Sequence, residues 1–206
     1  MTHLELVAQR QADPALLTDA QMRADAIADR IRKTAINTVA QMAQDAQEPA
    51  HKAFYMHLVL DTLAKATEGI VPCKSGCSHC CNMATLITAQ EAQALAKASG
   101  RDMTMPSSDK FNRPKDEDVR IYNGVACPFL IENKCSVYAS RPHACRVHYS
   151  LDRDNLLCQI VPGKEIRTPT LNTMQYTMLS VAIQGNPLDL KYADIREFFP
   201  TKGPKK

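Results

Sequence analysis

Cys73-Lys-Ser-Gly-Cys77-Ser-His-Cys80-Cys81 decides how this chain is read. Spacings of two and three residues let one tight turn aim several sulfurs at a common point. Gly76 suits such a turn, because backbone N–H groups must point inward toward anionic sulfur. Cys80 and Cys81 are adjacent, and neighbouring side chains diverge, so the pair seldom serves one tetrahedral ion together. One of the two is expected to serve a second site or to remain a thiol. A second group follows: Cys127-Pro-Phe-Leu130, then Cys135, Cys145 and Cys158. The Glu132-Asn133-Lys134 turn is expected to clip Cys127 to Cys135 as a hairpin.

All eight cysteines of the 206-residue chain lie between Cys73 and Cys158. They make up about 9% of that window, the density of a disulfide or metal scaffold. Met1 to Arg10 carries Glu5 and no long apolar stretch, so no secretory signal is expected. The location expected is the cytoplasm, where thiols stay reduced and turn to metal or redox chemistry rather than disulfides. Soft thiolates suit zinc and iron–sulfur clusters, each commonly held by four cysteines. Eight thiols, Cys73, Cys77, Cys80, Cys81, Cys127, Cys135, Cys145 and Cys158, therefore allow two four-sulfur sites, or one site and spare thiols. His79, His143 and His148 are expected beside the sulfurs rather than among the ligands.

The rest of the composition is ordinary. Hydrophobic residues are 45% and charged residues 23%, which is globular and not disordered. The formal charge is +3, too small to indicate nucleic acid, and no basic stripe is present. No apolar run approaches the ~20 residues of a membrane span. A conventional hydrolase is not expected, because no nucleophile and base stand out, and Asp116, Glu117 and Asp118 read as solvated charge.

Outside the cysteines the chain reads as helix. Asp13-Pro14 starts one, with Thr18 and Gln21 as a capping box. Its apolar stripe runs Ala20, Ala24, Ile27, Ile31, Ala35, Val39 and Met42. A second helix follows Pro49 through Phe54, Met56, Leu60 and Leu63 to Gly69, and the two form an antiparallel hairpin. Thr88-Ala-Gln-Glu91 is a further capping box, opening a helix that stops at Gly100. Residues 101–118 read as loop. Val119 to Tyr138 reads as β, with turns at Asn123-Gly124 and Glu132-Asn133-Lys134. Thr168-Pro169 starts a helix with Leu171, Met174, Met178 and Val181 on one face. Asn186-Pro187 begins a last helical segment, and 201–206 reads as a disordered tail. The expectation is a mainly α chain with a small irregular, β-hairpin-bearing, cysteine-rich metal core. Its parts are a helical hairpin (1–70), the cysteine core (71–160) and C-terminal helices with the tail (161–206), packed as one compact unit.

The ordered motifs resemble the YkgJ-type cysteine-cluster family, described as zinc- or iron-chelating. They are Cys73-x3-Cys77-x2-Cys80-Cys81, Leu86-Ile87-Thr88-x2-Glu91, Cys127-Pro-Phe-Leu and Cys135-Ser-Val-Tyr138-x2-Arg141-Pro142-x2-Cys145-Arg146. The resemblance covers roughly residues 73–148 and implies seven ligands, Cys73, Cys77, Cys80, Cys81, Cys127, Cys135 and Cys145; Cys158 lies outside it. The module is also similar to that of bacterial flagellin lysine methylases, which implies iron–sulfur chemistry and a bacterial source. On that resemblance and on the adjacent cysteines, iron–sulfur is preferred over Zn²⁺ for at least one native site. Cys73-x3-Cys77-x2-Cys80 also matches the radical S-adenosylmethionine spacing, but no strand–helix repeats follow it. Three functions stay open: a metal-binding protein, an iron–sulfur enzyme acting in methyl transfer or with S-adenosylmethionine, and a zinc-stabilised adaptor for a protein partner. Arg141 and Arg146 are expected either to offset thiolate charge or to pair with Glu132 or Asp152. Tyr138 and Phe129 are expected to pack over the site.

Overall fold

A computed structural model describes residues 1–111, 121–161, 163–185 and 190–200. The chain is mainly helical, with short two-stranded sheets. It divides into two units: Met1–Lys74 with Arg146–Gln159 and Glu165–Pro187, and Ser75–Cys145 with Ile160–Lys164 and Leu188–Lys206. Several expectations fall outside the described residues: the loop from 112 to 118 with its three acidic residues, the start of the β segment at Val119, the Asn186-Pro187 start and the tail.

The first unit is built from helices whose ends are set locally. α1 (His3–Ala12) starts on a capping box: the Thr2 hydroxyl accepts from the Glu5 N–H at 3.3 Å, and the Glu5 carboxylate accepts from the Thr2 N–H at 2.8 Å. α2 (Ala15–Arg32) begins after Asp13-Pro14, where the Asp13 carboxylate accepts from the Ala15 N–H at 2.9 Å. Thr18 and Gln21 lie inside α2, so they form no cap. The expected stripe from Ala20 to Met42 does not run through one helix. The chain breaks at Lys33–Ala35, where the Thr34 hydroxyl donates to the Ile31 carbonyl at 2.7 Å and accepts from the Ile36 N–H at 3.3 Å. That side chain offers the backbone an alternative to the helical ladder, and the phase resets. In α3 (Ile36–Asp45), Ile36 and Ala43 are buried while Met42 is 46% exposed.

α4 (Pro49–Thr67) carries Pro49 in its first turn, where the missing N–H costs nothing. It packs antiparallel against α3 and buries Met56, Val59, Leu60, Leu63 and Ala66 with Ile27, Ile36 and Ala43. Val147, Tyr149, Leu151, Tyr176 and Leu179 complete this core from later in the chain. The helix expected from Thr168 begins only at Met174 (α7, Met174–Gln184). Residues 168–171 are instead extended, because their backbone pairs with 149–151: Leu151 N–H donates to the Pro169 carbonyl at 2.8 Å, and Leu171 N–H to the Tyr149 carbonyl at 3.0 Å. The buried face of α7 is Tyr176 and Leu179, while Met174 and Met178 of the expected face are more than 60% exposed.

The second unit joins residues more than a hundred positions apart. β1 (Leu86–Thr88) pairs antiparallel with β4 (Tyr192–Asp194), Leu86 opposite Asp194. α5 (Ala89–Ser99) follows β1 on the Thr88–Glu91 capping box, as its sequence leads one to expect. It ends at Gly100, with φ +67. The β segment to Tyr138 reduces to β2 (Leu130–Ile131) and β3 (Lys134–Cys135). Their turn holds Glu132 and Asn133 at φ +48 and +61, the left-handed pair a two-residue hairpin requires. Asn123-Gly124 makes no hairpin; the Gly124 N–H donates to the Asn82 carbonyl at 2.7 Å. Strand β4 occupies part of the expected last helix, leaving α8 (Ile195–Phe198). Ile87, Ala92, Leu95, Phe129, Ala193, Ile195, Phe198 and Phe199 form the core, with Phe129 edge-on to Phe199 at 4.8 Å.

Gly100 offers a clean test of local strain. A Cβ there would meet nothing within 4 Å, so only the positive φ opposes it. Gly100→Ala is expected to lower stability by about 1–2 kcal/mol, the left-handed penalty for an L-residue. Denaturant titration checks it; an unchanged midpoint would contradict the cap.

Candidate metal centre

The first cysteine group is a tight turn of half-buried cysteines. Gly76 takes φ +90, and residues His79–Asn82 form one tight 3₁₀ turn. Within it Cys81 N–H donates to the Ser78 carbonyl at 3.0 Å and Met83 N–H to the Cys80 carbonyl at 3.1 Å. The second group is tied to it by backbone: Cys127 N–H donates to the Cys81 carbonyl at 2.7 Å. Two sulfurs of this second group receive local amides. The Phe129 N–H bonds to Cys127 sulfur, and the Val137 N–H to Cys135 sulfur. Each is a Cys-x-N–H turn that presents a donor to a thiolate. Cys145 sits in α6 (His143–Val147), its N–H donating to the Pro142 carbonyl at 3.1 Å.

Cys80, Cys81, Cys127, Cys135 and Cys145 lie in one unit, and charge at Cys127 and Cys135 opposes ionising Cys81 and Cys145. The Cys81 thiol donates to Cys80, which brings Cys80 down to about 7, with Arg141 assisting against burial. The same bond holds Cys81 strongly up, and burial adds to it. Burial raises Cys127 and Cys135 despite the Phe129 and Val137 amides. It raises Cys145 most directly, with its neighbouring thiolates adding to the effect. Desolvation and like-charge repulsion thus oppose ionising this set together. A divalent cation reverses both, since it brings its own charge to the sulfurs. The donor set therefore fits a thiophilic metal. Among the described residues no three His, Cys, Asp or Glu side chains already stand at metal-holding distance.

The other expected residues are placed as follows. Cys77 is half-buried in the same unit, at the head of the turn. Cys73 and Cys158 belong to the helical unit, where Ser150 N–H donates to Cys73 sulfur at 3.4 Å. His148 is also in the helical unit, lowered by burial. Burial brings His143 down to about 4, and its backbone N–H donates to Glu91 at 2.8 Å. One Glu91 carboxylate thereby caps α5 and anchors the start of the Cys145 helix. Phe129 is buried as expected, but Tyr138 is 37% exposed. Arg141 lies 3.7 Å over the Tyr138 ring and lowers Cys80 and Cys135, the first of its two expected roles. Arg146 pairs with Asp61 at 3.0 Å, while Asp152 pairs with Arg10. The sequence reading missed Arg196 and Asp194. They lie outside the cysteine motifs, and no local pattern marks a distant arginine as a partner of cysteine carbonyls.

No helix among the described residues is long and apolar enough to cross a membrane. No curated protein and no solved structure matches the chain. A family model does match: CxxCxxCC, described as a "putative zinc- or iron-chelating domain", over residues 72–170. The match extends beyond the motifs read from sequence and takes in Cys158. Residues 72–170 are accordingly similar to the CxxCxxCC, or YkgJ-type, zinc- or iron-chelating family.

Proposed function

We propose that this chain binds its metal through a thiolate centre drawn from Cys77, Cys80, Cys81, Cys127, Cys135 and Cys145, and that its native form at this centre is iron–sulfur. The observation that supports the reading most is the Cys127 N–H donating to the Cys81 carbonyl at 2.7 Å, which ties the two cysteine loops of one unit together. Six thiols in one unit exceed what one tetrahedral ion uses, and the surplus suits a cluster or an ion with a spare thiol. The centre supplies charge stabilisation if it holds zinc and electron exchange if it holds a cluster. On this reading Cys158, outside the cysteine motifs, contributes least to the centre. The protein works in a reducing compartment, where such thiols persist.

The test is anaerobic purification with iron, zinc and acid-labile sulfide measured on one sample, together with its absorption spectrum. Iron with sulfide and a broad band near about 400 nm, where thiolate-ligated clusters absorb, is the expected result. Stoichiometric zinc without colour, both in the anaerobic sample and after reconstitution with iron and sulfide, would replace the cluster with a closed tetrathiolate. Absence of any thiol-bound metal would overturn the reading.

A further inference from the structure

We propose that Arg196, far from the cysteines in sequence, is the positioning residue of the thiolate centre. This rests on the metal-binding reading above and deepens it. The Arg196 side chain is 6% exposed and Asp194 beside it 1%. Its Nη1 donates to the two Asp194 carboxylate oxygens at 2.9 and 3.1 Å. Its other donors go to main-chain carbonyls of the two cysteine loops. Nη2 reaches Cys81 O at 3.2 Å, Met83 O at 3.1 Å and Val125 O at 2.6 Å, and Nε reaches Val125 O at 3.0 Å. Asp194 also accepts from the Thr85 N–H at 2.6 Å and from the Arg196 N–H at 2.9 Å.

One planar fork therefore ties the loop bearing Cys80 and Cys81 to the loop leading into Cys127. The Cys81 carbonyl is the junction, since it accepts both from Arg196 and from the Cys127 N–H. The contribution is mainly geometric. Arg196 favours the Cys127 thiolate and Asp194 opposes it, whereas the fork's hydrogen bonds all run to backbone carbonyls and to Asp194. Lysine cannot replace the fork, because a point charge with three donors on one nitrogen cannot span three carbonyls and a carboxylate. Arg196 lies beyond residue 170, where the family match ends. The centre of this chain is thus completed by a segment that also supplies β4 and α8.

Three variants test this in the full chain: Arg196→Lys, Arg196→Met, and Leu95→Ala as a buried core control in the same unit. Two readouts apply. The first is zinc affinity by chelator competition, with the charge-transfer spectrum of the cobalt(II)-substituted protein. The second is the alkylation rate of each cysteine in the metal-depleted protein, by mass spectrometry. Arg196→Lys keeps charge and is expected to weaken zinc binding about 10–100-fold, the usual size for a supporting residue of a metal site. Its cobalt spectrum should lose thiolate intensity, and Cys81 and Cys127 should alkylate several-fold faster while Cys135, on a loop to which Arg196 does not donate, changes little. Leu95→Ala should lose stability yet keep the wild-type spectrum. If Arg196→Met does not fold, Arg196→Lys carries the decision. Wild-type affinity, spectrum and alkylation in Arg196→Lys would overturn the positioning role alone. So would a uniform rise in alkylation of all cysteines matched by Leu95→Ala. Failure of the wild type to take up metal through its thiols would overturn the metal-binding reading together with this one.

Discussion

Replacing Cys127 and Cys135 together with serine is expected to abolish tight metal binding and to unfold the unit that carries them. Serine keeps the size of the side chain but removes the thiolate, so the change isolates ligation. The binding free energy of a structural zinc site is about 10–16 kcal/mol and is coupled to folding. Shared among four ligands, that is roughly 3 kcal/mol for each, so losing two lowers affinity by roughly 10⁴-fold. The core formed by Phe129, Leu95, Phe198 and Phe199 is small, and a loss of that size exceeds what it can absorb. Both cysteines also organise their own turns, through the Phe129 and Val137 amides. Cys158→Ser, in the other unit, is expected to keep metal content and affinity within about threefold. Metal titration and thermal unfolding of both variants decide the matter. Unchanged stoichiometry and affinity in the double variant would remove Cys127 and Cys135 from the ligand set.

Arg10→Met carries the second large effect, on the helical unit. The Arg10 guanidinium lies buried against Asp152 at 2.6 Å and reaches Asp154 at 2.9 Å. Asp152 is 1% exposed, and its remaining support is the Arg153 N–H at 2.8 Å on the same oxygen. Methionine fills similar space but leaves that carboxylate buried without its counter-charge, which costs about 3–5 kcal/mol. In a chain this size that lowers Tm by roughly 10 °C. Adding Asp152→Asn to the variant should recover part of the loss, because no unpaired charge then remains. The pH profile gives an independent reading. The Arg10 hydrogen bond holds Asp154 below the ordinary carboxylate range. Its contribution is therefore present above the unfolded value, near pH 4, and is lost as pH falls through the lower folded value. Arg10→Met should flatten that part of the acid limb. A variant as stable as wild type, with the same acid limb, would show that the pair is incidental.

Much of the local chemistry was legible in the sequence because its causes are local. A capping box needs only four residues, and Thr88 with Glu91 supplied both partners. The Glu132-Asn133 turn was readable for the same reason. The expected helix at Thr168 failed because a two-residue start signal lost to backbone pairing with 149–151, which no short window contains. The single stripe to Met42 failed because one hydroxyl, on Thr34, rerouted the ladder and changed which face is buried. The expected face of α7 failed because periodicity marks where apolar residues recur, not which of them finds a neighbour.

The sequence by itself pointed to the chemistry: eight clustered thiols suit a soft metal, and motifs over roughly residues 73–148 fall within the 72–170 match to a zinc- or iron-chelating family model. Only the tertiary structure decided which compact unit each thiol falls in. It also decided that β4 pairs with β1 and brings Arg196 to the Cys81 carbonyl. The physical reason is range. Donor type and turn geometry are properties of a few adjacent residues, whereas burial, coulombic coupling and a buried arginine fork arise only when distant segments exclude water together.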